Sequence, residues 1–270
     1  MKEKEKKTAR TALVTGASRG IGKAIAAALA TSGWEVTGTC RNPRKLSVED
    51  RVPGVRYVPL DFSRKASVEA LARKAGSFEL LVNNAGSSAI GPVEETPIDR
   101  VKALFEGNFF GAVRLTQAAL AGMRKRRRGT VLFIGSMASE LPRPFMSFYA
   151  ASKAALKAFV ECLRLEVRGF GIRVAVVAPL SVATMTQQER SPVKSADYAQ
   201  TVARVKKIRD RMIMGGVDPQ AVAETVLDVV GKRRPRAFTV TGHAAPIIGF
   251  LARHLPARTV ERLSARQFKL

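Results

Sequence analysis

Cysteine is scarce in this chain of 270 residues, which contains only Cys40 and Cys162. So small a number excludes a disulfide scaffold and predicts that both thiols stay reduced. No apolar run reaches the roughly 18 residues of a transmembrane helix, and residues 1–7 lack the apolar segment of a secretory signal. The sequence therefore predicts a cytoplasmic protein.

Acidic residues are also few, because 22 Asp and Glu stand against 46 Lys and Arg and leave a formal net charge of +24. Such a charge attracts polyanions, whether nucleic acid, anionic membrane or phosphorylated small molecules. A nucleic-acid binder would need a recognisable module, and the sequence has no zinc-ligand spacing, RNA-recognition pattern or convincing helix-turn-helix. We therefore expect neither a nucleic-acid partner nor a metal site, and we attribute most of the charge to a solvated surface.

Short apolar runs alternate with helix-like segments along the chain. The run at 172–178 is apolar except for Arg173, as expected for a strand buried on both faces of a parallel sheet. The alternation predicts an α/β domain over residues 11–242, a doubly wound parallel sheet of about seven strands with helices on both faces. Residues 1–10 form a charged N-terminal tail, and 243–270 form a basic amphipathic C-terminal tail. Strands are predicted at 11–15, 35–40, 55–59, 78–82, 130–135 and 172–178, and helices at 21–30, 68–74, 98–124, 148–168 and 219–230.

A glycine-rich turn follows the first predicted strand. Gly16, Gly20 and Gly22 lie between strand and helix, where backbone N–H groups and a helix N-terminus can bind a dinucleotide pyrophosphate. The spacing is G-x-x-x-G-x-G rather than the commoner G-x-G-x-x-G, so the turn alone is weak evidence. Its strand–turn–helix context favours a nucleotide site over a plain turn. The same turn contains Ser18, Arg19 and Ile21.

A tyrosine and a lysine lie four residues apart at the start of the helix predicted at 148–168. This offset places Tyr149 and Lys153 on one helix face. A phenol titrates near pH 10, and a neighbouring cation favours the ionised form that general base chemistry needs at neutral pH. Such pairs are common by chance. Ser136 follows the strand predicted at 130–135, however, and can reach the same site from the carboxyl end of the sheet.

In combination these motifs resemble the short-chain dehydrogenase/reductase family, in its single-domain branch. The matching motifs are TGASRGIG at 15–22, NNAG at 83–86, Asn108, Ser136 and YAASK at 149–153. Each motif is weak alone, but their joint order and spacing are specific, and the resemblance runs from about residue 10 to about residue 242. It implies a Rossmann fold and an oxidoreductase that moves a hydride between a nicotinamide cofactor and a carbonyl or alcohol.

The resemblance also implies a role for each candidate catalytic residue. Tyr149 would donate and accept the proton, and Ser136 would polarise the substrate carbonyl. Lys153 would assist Tyr149 and hold the nicotinamide ribose, and Asn108 would support a water relay behind the lysine. Further cofactor contacts would come from the loops after the strands, at Asp61, Phe62, Asn84, Ala85, Gly86, Pro179, Val182 and Thr184.

Two of these loop positions leave alternatives open. Asp61 could contact the adenine, or it could cap a helix that begins near Ser63. The family usually has glycine after Pro179, and here Leu180 takes its place. Leucine resists the positive φ that glycine permits, which leaves the conformation of this loop undecided.

The end of the second predicted strand indicates which nicotinamide cofactor is used. An NAD site places Asp or Glu there to bind the ribose 2′-hydroxyl. This chain instead reads Thr-Cys-Arg-Asn at 39–42, with no acid. Arg41, together with Arg19 in the glycine-rich turn, can pair with a 2′-phosphate. The sequence therefore predicts NADP, with NADPH as its reduced form.

Two basic segments lie outside these motifs. The run at 124–128 resembles a nuclear-localisation or nucleic-acid patch, although a solvated loop explains it as well. Residues 246–270 alternate apolar and basic side chains, which is typical of a helix lying on an anionic membrane. The same tail could pack over the substrate pocket or against a partner subunit. The family resemblance also implies a homo-oligomer, formed through the helices predicted at 98–124 and 148–168.

The region 136–242 is similar to the steroid- and retinol-type members of the family. That similarity implies a small-molecule substrate, an apolar ketone or alcohol. A 3-oxoacyl-thioester reductase is an alternative, and so is a non-catalytic nucleic-acid or membrane-binding protein on the same fold. The presence of Asn108, Ser136, Tyr149 and Lys153 together argues against the non-catalytic alternative. The segment 185–214 would form the lid over the pocket, but its polar sequence predicts no pocket shape.

Overall fold

A seven-stranded parallel sheet forms the centre of the computed structural model, which describes residues 10–183, 188–190, 193–242 and 244–270. All six predicted strands are present, and a seventh follows near the end of the domain. The predicted doubly wound α/β fold is therefore confirmed. The strands of this sheet are β1 (Thr11–Val14), β2 (Glu35–Cys40), β3 (Val55–Pro59), β4 (Leu80–Asn83), β6 (Gly129–Ile134), β7 (Ile172–Pro179) and β9 (Phe238–Thr241).

Helices cover both faces of the sheet because the strands are apolar on both sides. The helices α1 (Gly20–Thr31) and α7 (Pro219–Gly231) pack on one face through side chains such as Ile25 and Val226. The opposite face is covered by α2 (Lys65–Ala75), α4 (Gly111–Lys125) and α5 (Ser147–Glu166), through residues such as Leu71, Leu115 and Val160.

The strand order β3-β2-β1-β4-β6-β7-β9 has a switch point between β1 and β4. On either side of that point the chain winds in opposite directions, so the loops after the two strands diverge and leave a crevice. Ligands of open α/β sheets bind in such a crevice at the carboxyl ends of the strands. The loops that follow β1, β2, β3, β4, β6 and β7 meet at this edge, and they carry most of the residues predicted to contact the cofactor.

The helix predicted at 98–124 is interrupted. It consists of α3 (Ile98–Phe105), a π-helical turn (Glu106–Phe110) and α4. A π turn inserts an extra residue into a helix and often marks a functional site. This turn contains Asn108, whose buried side chain bonds outside its own helix.

A small second sheet and one long helix were not predicted from the sequence. The parallel strands β5 (Ser88–Ile90) and β8 (Gln188–Arg190) pair with each other, and α6 (Ala196–Met214) follows them. Strands of three residues are too short to show the two-residue alternation of apolar and polar side chains that predicts a strand. The buried stripe of α6 is narrow and consists of Val202, Val205 and Arg209. Most of the helix sequence is therefore polar and lacks the wide apolar face by which a helix is predicted.

The C-terminal tail folds back onto the domain as α8 (Ala245–His254) and α9 (Ala257–Phe268). Phe268 is 2% exposed and packs among Val205 and Met146. The Ser264 hydroxyl donates to the Pro142 carbonyl at 2.6 Å. The tail thus contacts the loop that precedes α5. Within the described ranges, no helix combines the length and the apolar character of a membrane span, and membrane association of the tail stays a prediction.

The basic run at 124–128 makes several contacts within the fold. Arg126 donates to the carbonyl of Gly76 at 2.6 Å, to that of Arg128 at 3.0 Å and to that of Phe78. Arg128 forms an ion pair with Glu79 at 2.8 Å. Burial lowers the pKa of the Arg126 guanidinium. These contacts join the end of α4 to the turn between α2 and β4, which gives Arg126 a structural role.

Candidate functional site

A cleft of about 700 Å³ opens at the carboxyl ends of the central strands. The strand order places Arg41, after β2, at one side of the cleft, and Tyr149, beyond β6, at the other. Asn108 lies behind the cleft wall, and Thr184 lies outside the described residues. The cleft is lined by the predicted residues Gly16, Ser18, Arg19, Gly20, Ile21, Gly22, Arg41, Asp61, Phe62, Asn84, Ala85, Gly86, Ser136, Tyr149, Lys153, Pro179 and Val182.

The glycine-rich turn forms a tight cradle at the start of α1. Gly16 has a φ of +67°, which disfavours residues with a Cβ. A Cβ on Gly22 would lie 2.2 Å from the carbonyl oxygen of Gly16. Glycine is therefore required at both positions, and backbone N–H groups stay open to a ligand at the helix N-terminus. This cradle fits the pyrophosphate of a dinucleotide.

Thr15, the first residue of the TGASRGIG motif, holds this turn against the loop after β4, a role that was not predicted from the sequence. The hydroxyl oxygen of Thr15 accepts hydrogen bonds from the backbone N–H groups of Asn84 and Ala85, each at 2.9 Å. The Asn84 side-chain amide donates back to the Thr15 carbonyl at 2.8 Å. Asn84 therefore supports the cradle as well as lining the cleft. The sequence feature that could have indicated this role is a hydroxyl residue directly before the glycine-rich turn.

The side of the cleft near β2 is basic. Arg19 and Arg41 both line it and are exposed, and Lys45 joins them. Asp61 also lines the cleft, but its carboxylate accepts from the Ser63 N–H at 3.0 Å and the Ser63 hydroxyl at 2.7 Å. Asp61 therefore caps this turn. The helix expected near Ser63 begins later, at the start of α2.

The other side of the cleft brings together the three residues predicted to act on the substrate. Tyr149 is half-buried in the first turn of α5, and the Lys153 ammonium lies 6.0 Å from the centre of its ring. Lys153 donates to the Ile134 carbonyl at 2.9 Å. Burial lowers the pKa of Lys153 to about 8. Ser136 lines the same side, and its hydroxyl oxygen accepts from the Ala138 N–H at 3.1 Å.

Asn108 connects three parts of the site from its π turn. Its amide nitrogen donates to the Ser87 carbonyl and to the Ser152 hydroxyl, both at 3.0 Å, and its side-chain oxygen accepts from the Ser87 N–H at 2.9 Å. The Ser152 hydroxyl donates to the carbonyl of Tyr149 at 2.7 Å. Asn108 thereby fixes the loop after β4 relative to the first turn of α5. Ser87 was not predicted as a site residue, and Ser152 was quoted only as part of the YAASK motif, without a role.

The loop after β7 accommodates leucine in place of the family's glycine. In the described part of the chain, the non-glycine residues with positive φ are Arg127, Phe145 and Lys269, so Leu180 has an ordinary backbone conformation. Its N–H donates to the Thr241 carbonyl at 3.3 Å. The loop therefore needs no glycine at this position.

Two arginines that the sequence analysis missed line the cleft on the Tyr149 side. Arg143 lies in the loop before α5, and Arg209 occupies a buried position of α6. The sequence feature that could have identified Arg209 is its spacing from Val202 and Val205, which places the arginine on the buried stripe of that helix.

Comparison with known proteins identifies similar chains over nearly the whole length. A family model described as short chain dehydrogenase matches residues 10–195. A 3-ketodihydrosphingosine reductase from Bacteroides thetaiotaomicron is 32% identical over 244 residues, covering 87% of this chain and 89% of the relative. Retinol dehydrogenase 8 from Homo sapiens is 32% identical and covers 84% and 79%. A short-chain dehydrogenase from Streptomyces avermitilis superposes with a TM-score of 0.81 at 31% identity, covering 97% of both chains.

Proposed function

Since this chain belongs to the short-chain dehydrogenase/reductase family, oxidoreductases that act on CH–OH and C=O groups with a nicotinamide cofactor, we propose that it is an NADPH-dependent ketone reductase. One observation carries the proposal. A single cleft joins the glycine cradle and Arg41 to Tyr149, Lys153 and Ser136. A dinucleotide bound along this cleft would place its nicotinamide on the side of the catalytic residues.

Bound NADPH would supply the hydride, and the chain's own residues would supply the proton and the orientation. The Tyr149 hydroxyl, open to the cleft, would give its proton to the carbonyl oxygen. Because the Ser136 oxygen already accepts from Ala138, its hydroxyl proton is left to polarise the same carbonyl. Two donors aimed at one oxygen stabilise the charge that develops there during reduction.

Lys153 would restore the proton that Tyr149 gives up. Burial lowers the pKa of Lys153 to about 8, so the ammonium can release or regain a proton near neutral pH. Its bond to the Ile134 carbonyl fixes the ammonium beside the tyrosine ring. Asn108 and Ser152 hold the first turn of α5, and this positions Tyr149 and Lys153 together.

The basic side of the cleft supports NADP over NAD. Arg19 and Arg41 both line the side of the cleft where the ribose 2′-phosphate is expected, and no acid lies at the end of β2. Guanidinium groups match phosphate geometry with paired hydrogen bonds.

The substrate we propose is lipid-like. Two relatives are named for 3-ketodihydrosphingosine and retinol, both long apolar molecules with an oxygenated carbon. In this chain, Met146, Met212 and Ile213 give the Tyr149 side of the cleft an apolar wall. An apolar chain would lie along this wall while its carbonyl meets Tyr149.

Tyr149→Phe tests the proposal. The wild type should oxidise NADPH in the presence of long-chain ketones, and loss of the phenolic proton should lower kcat roughly 10²–10⁴-fold. NADPH affinity, measured by fluorescence titration, should be retained. Tyr198→Phe serves as a matched control, because its ring contacts Phe145 and does not line the cleft. Wild-type turnover by Tyr149→Phe would contradict the proposal.

A further inference from the structure

Arg209 is a buried cation whose hydrogen-bonding groups are only partly used. It is 6% exposed, and one terminal nitrogen donates to the Ser88 hydroxyl at 2.9 Å. The other terminal nitrogen is buried without a hydrogen-bond partner in the described ranges. A guanidinium presents five donors in a planar fork, so Arg209 retains capacity for an acceptor inside the cleft that it lines.

Arg143 lines the same side of the cleft. Its guanidinium donates to the Leu180 carbonyl at 3.3 Å. Both arginines line the cleft together with Tyr149. Burial lowers the pKa of each guanidinium, and repulsion from Arg209 lowers that of Arg143 further. Two like charges therefore face the position of the proposed reaction.

The partners seen within the chain are insufficient for two such cations. Both acceptors, Ser88 and the Leu180 carbonyl, are neutral, and across the described residues neither arginine forms an ion pair. The neighbouring Asp210 attracts Arg209 electrostatically, but it forms no ion pair or hydrogen bond with the guanidinium in the described residues. The buried acid on the same loop, Glu140, is already paired with Lys157 at 3.0 Å and Arg253 at 2.9 Å. Burying a charge without a hydrogen-bonded counterion costs more free energy than one neutral hydrogen bond returns.

We propose that Arg143 and Arg209 form a subsite for an anionic group of the substrate, beside the carbonyl that meets Tyr149. This inference rests on the proposed function and narrows it. The substrate would be an amphiphilic ketone with a carboxylate or sulfonate near the reacting carbon and an apolar chain along Met146 and Met212. Planar guanidinium groups bind such anions with paired, charge-assisted hydrogen bonds.

This subsite is separate from the one proposed for the cofactor phosphate. Arg41 follows β2, whereas Arg143 precedes α5 and Arg209 lies on α6. The strands β1, β4 and β6 lie between β2 and the Tyr149 side of the cleft. An anion at Arg143 and Arg209 can therefore be bound together with the dinucleotide.

Matched pairs of ketones test the proposal by turnover. We would compare kcat/KM for 3-, 4- and 5-oxodecanoate with kcat/KM for their methyl esters, using NADPH. The wild type should prefer at least one acid over its ester by tenfold or more, and Arg209→Met should reduce that ratio roughly 10- to 100-fold. Arg211→Met, which removes an exposed arginine of the same helix, controls for the loss of net charge. A wild type without acid preference, or an unchanged ratio in Arg209→Met, would overturn the subsite.

A binding measurement separates this proposal from the proposed function. With saturating NADP⁺, octanesulfonate should raise the Tm of the wild type and of Arg211→Met, whereas octanol should not. The shift should be lost in Arg209→Met and in Arg143→Met, the second variant covering the case in which the first fails to fold. If no ketone is reduced but this pattern holds, the anion subsite stands and the proposed function fails. If ketones are reduced but octanesulfonate binds all variants equally, the subsite is wrong and the proposed function stands.

Discussion

Replacing Lys153 by methionine should stabilise the fold while removing a catalytic group. Lys153 is 7% exposed, and its burial lowers its pKa from 10.5 to about 8. One pKa unit corresponds to about 1.4 kcal/mol, so holding this lysine protonated inside the protein at pH 7 costs about 3 kcal/mol. Lys153→Met removes this cost. It also loses the hydrogen bond to the Ile134 carbonyl, worth about 1 kcal/mol.

The sign of the effect follows from proton binding. An unfolded lysine binds its proton more tightly than the buried one, so wild-type stability rises with pH wherever only the unfolded state is protonated. The cost at Lys153 is fully present below about pH 8 and disappears as the pH rises to 10.5. The advantage of Lys153→Met over the wild type should therefore shrink by about 2–3 kcal/mol between pH 7 and pH 10. Loss of the bond to Ile134 shifts the difference without changing this dependence.

Denaturant unfolding at pH 7, 8, 9 and 10 measures both proteins under identical conditions. The exposed Lys207→Met variant controls for the removal of one positive charge. A free-energy difference between Lys153→Met and the wild type that stays constant over this range would refute the reasoning. It would mean that Lys153 is as well solvated in the folded chain as in the unfolded one. The same variant should have lost reductase activity, because the proposed proton supply to Tyr149 is gone.

Two further predictions concern arginines. The wild type should bind NADPH about 10²-fold more tightly than NADH, and Arg41→Asp should reduce this preference at least roughly tenfold. Competitive titration measures the two affinities, with Arg44→Asp at an exposed neighbouring position as the control. Equal affinities of the wild type for NADPH and NADH would contradict the assignment of Arg41. Arg126→Ala should lower the free energy of unfolding by about 2 kcal/mol, because three carbonyls lose their donor. Denaturant unfolding against the exposed Arg124→Ala checks it, and equal stabilities would exclude the structural role.

Local patterns in the sequence were sufficient to predict the fold and to select residues that line one cleft. The run at 172–178, apolar except for Arg173, predicts a buried parallel strand because burial on both faces requires a nearly continuous series of apolar residues. Glycines at 16, 20 and 22 predict the cradle because the first two have a positive φ and a Cβ on the third would clash with the Gly16 carbonyl. The four-residue offset of Tyr149 and Lys153 places both on one helix face wherever that helix packs.

Contacts between distant segments were decided by the tertiary structure alone. Asn108 reaches Ser87 and Ser152 from a π turn, and no repeating pattern of residues in the sequence predicts such a turn. The tail docks through Phe268, although its alternating apolar and basic residues were equally compatible with a membrane surface. The meeting of Arg143 and Arg209 beside Tyr149 depends on the packing of α6 over the cleft. The spacing of residues in a helix predicts which side chains share a buried face, but it does not predict which distant segment that face packs against. The positive charge on the Tyr149 side of the cleft was therefore decided by the tertiary structure.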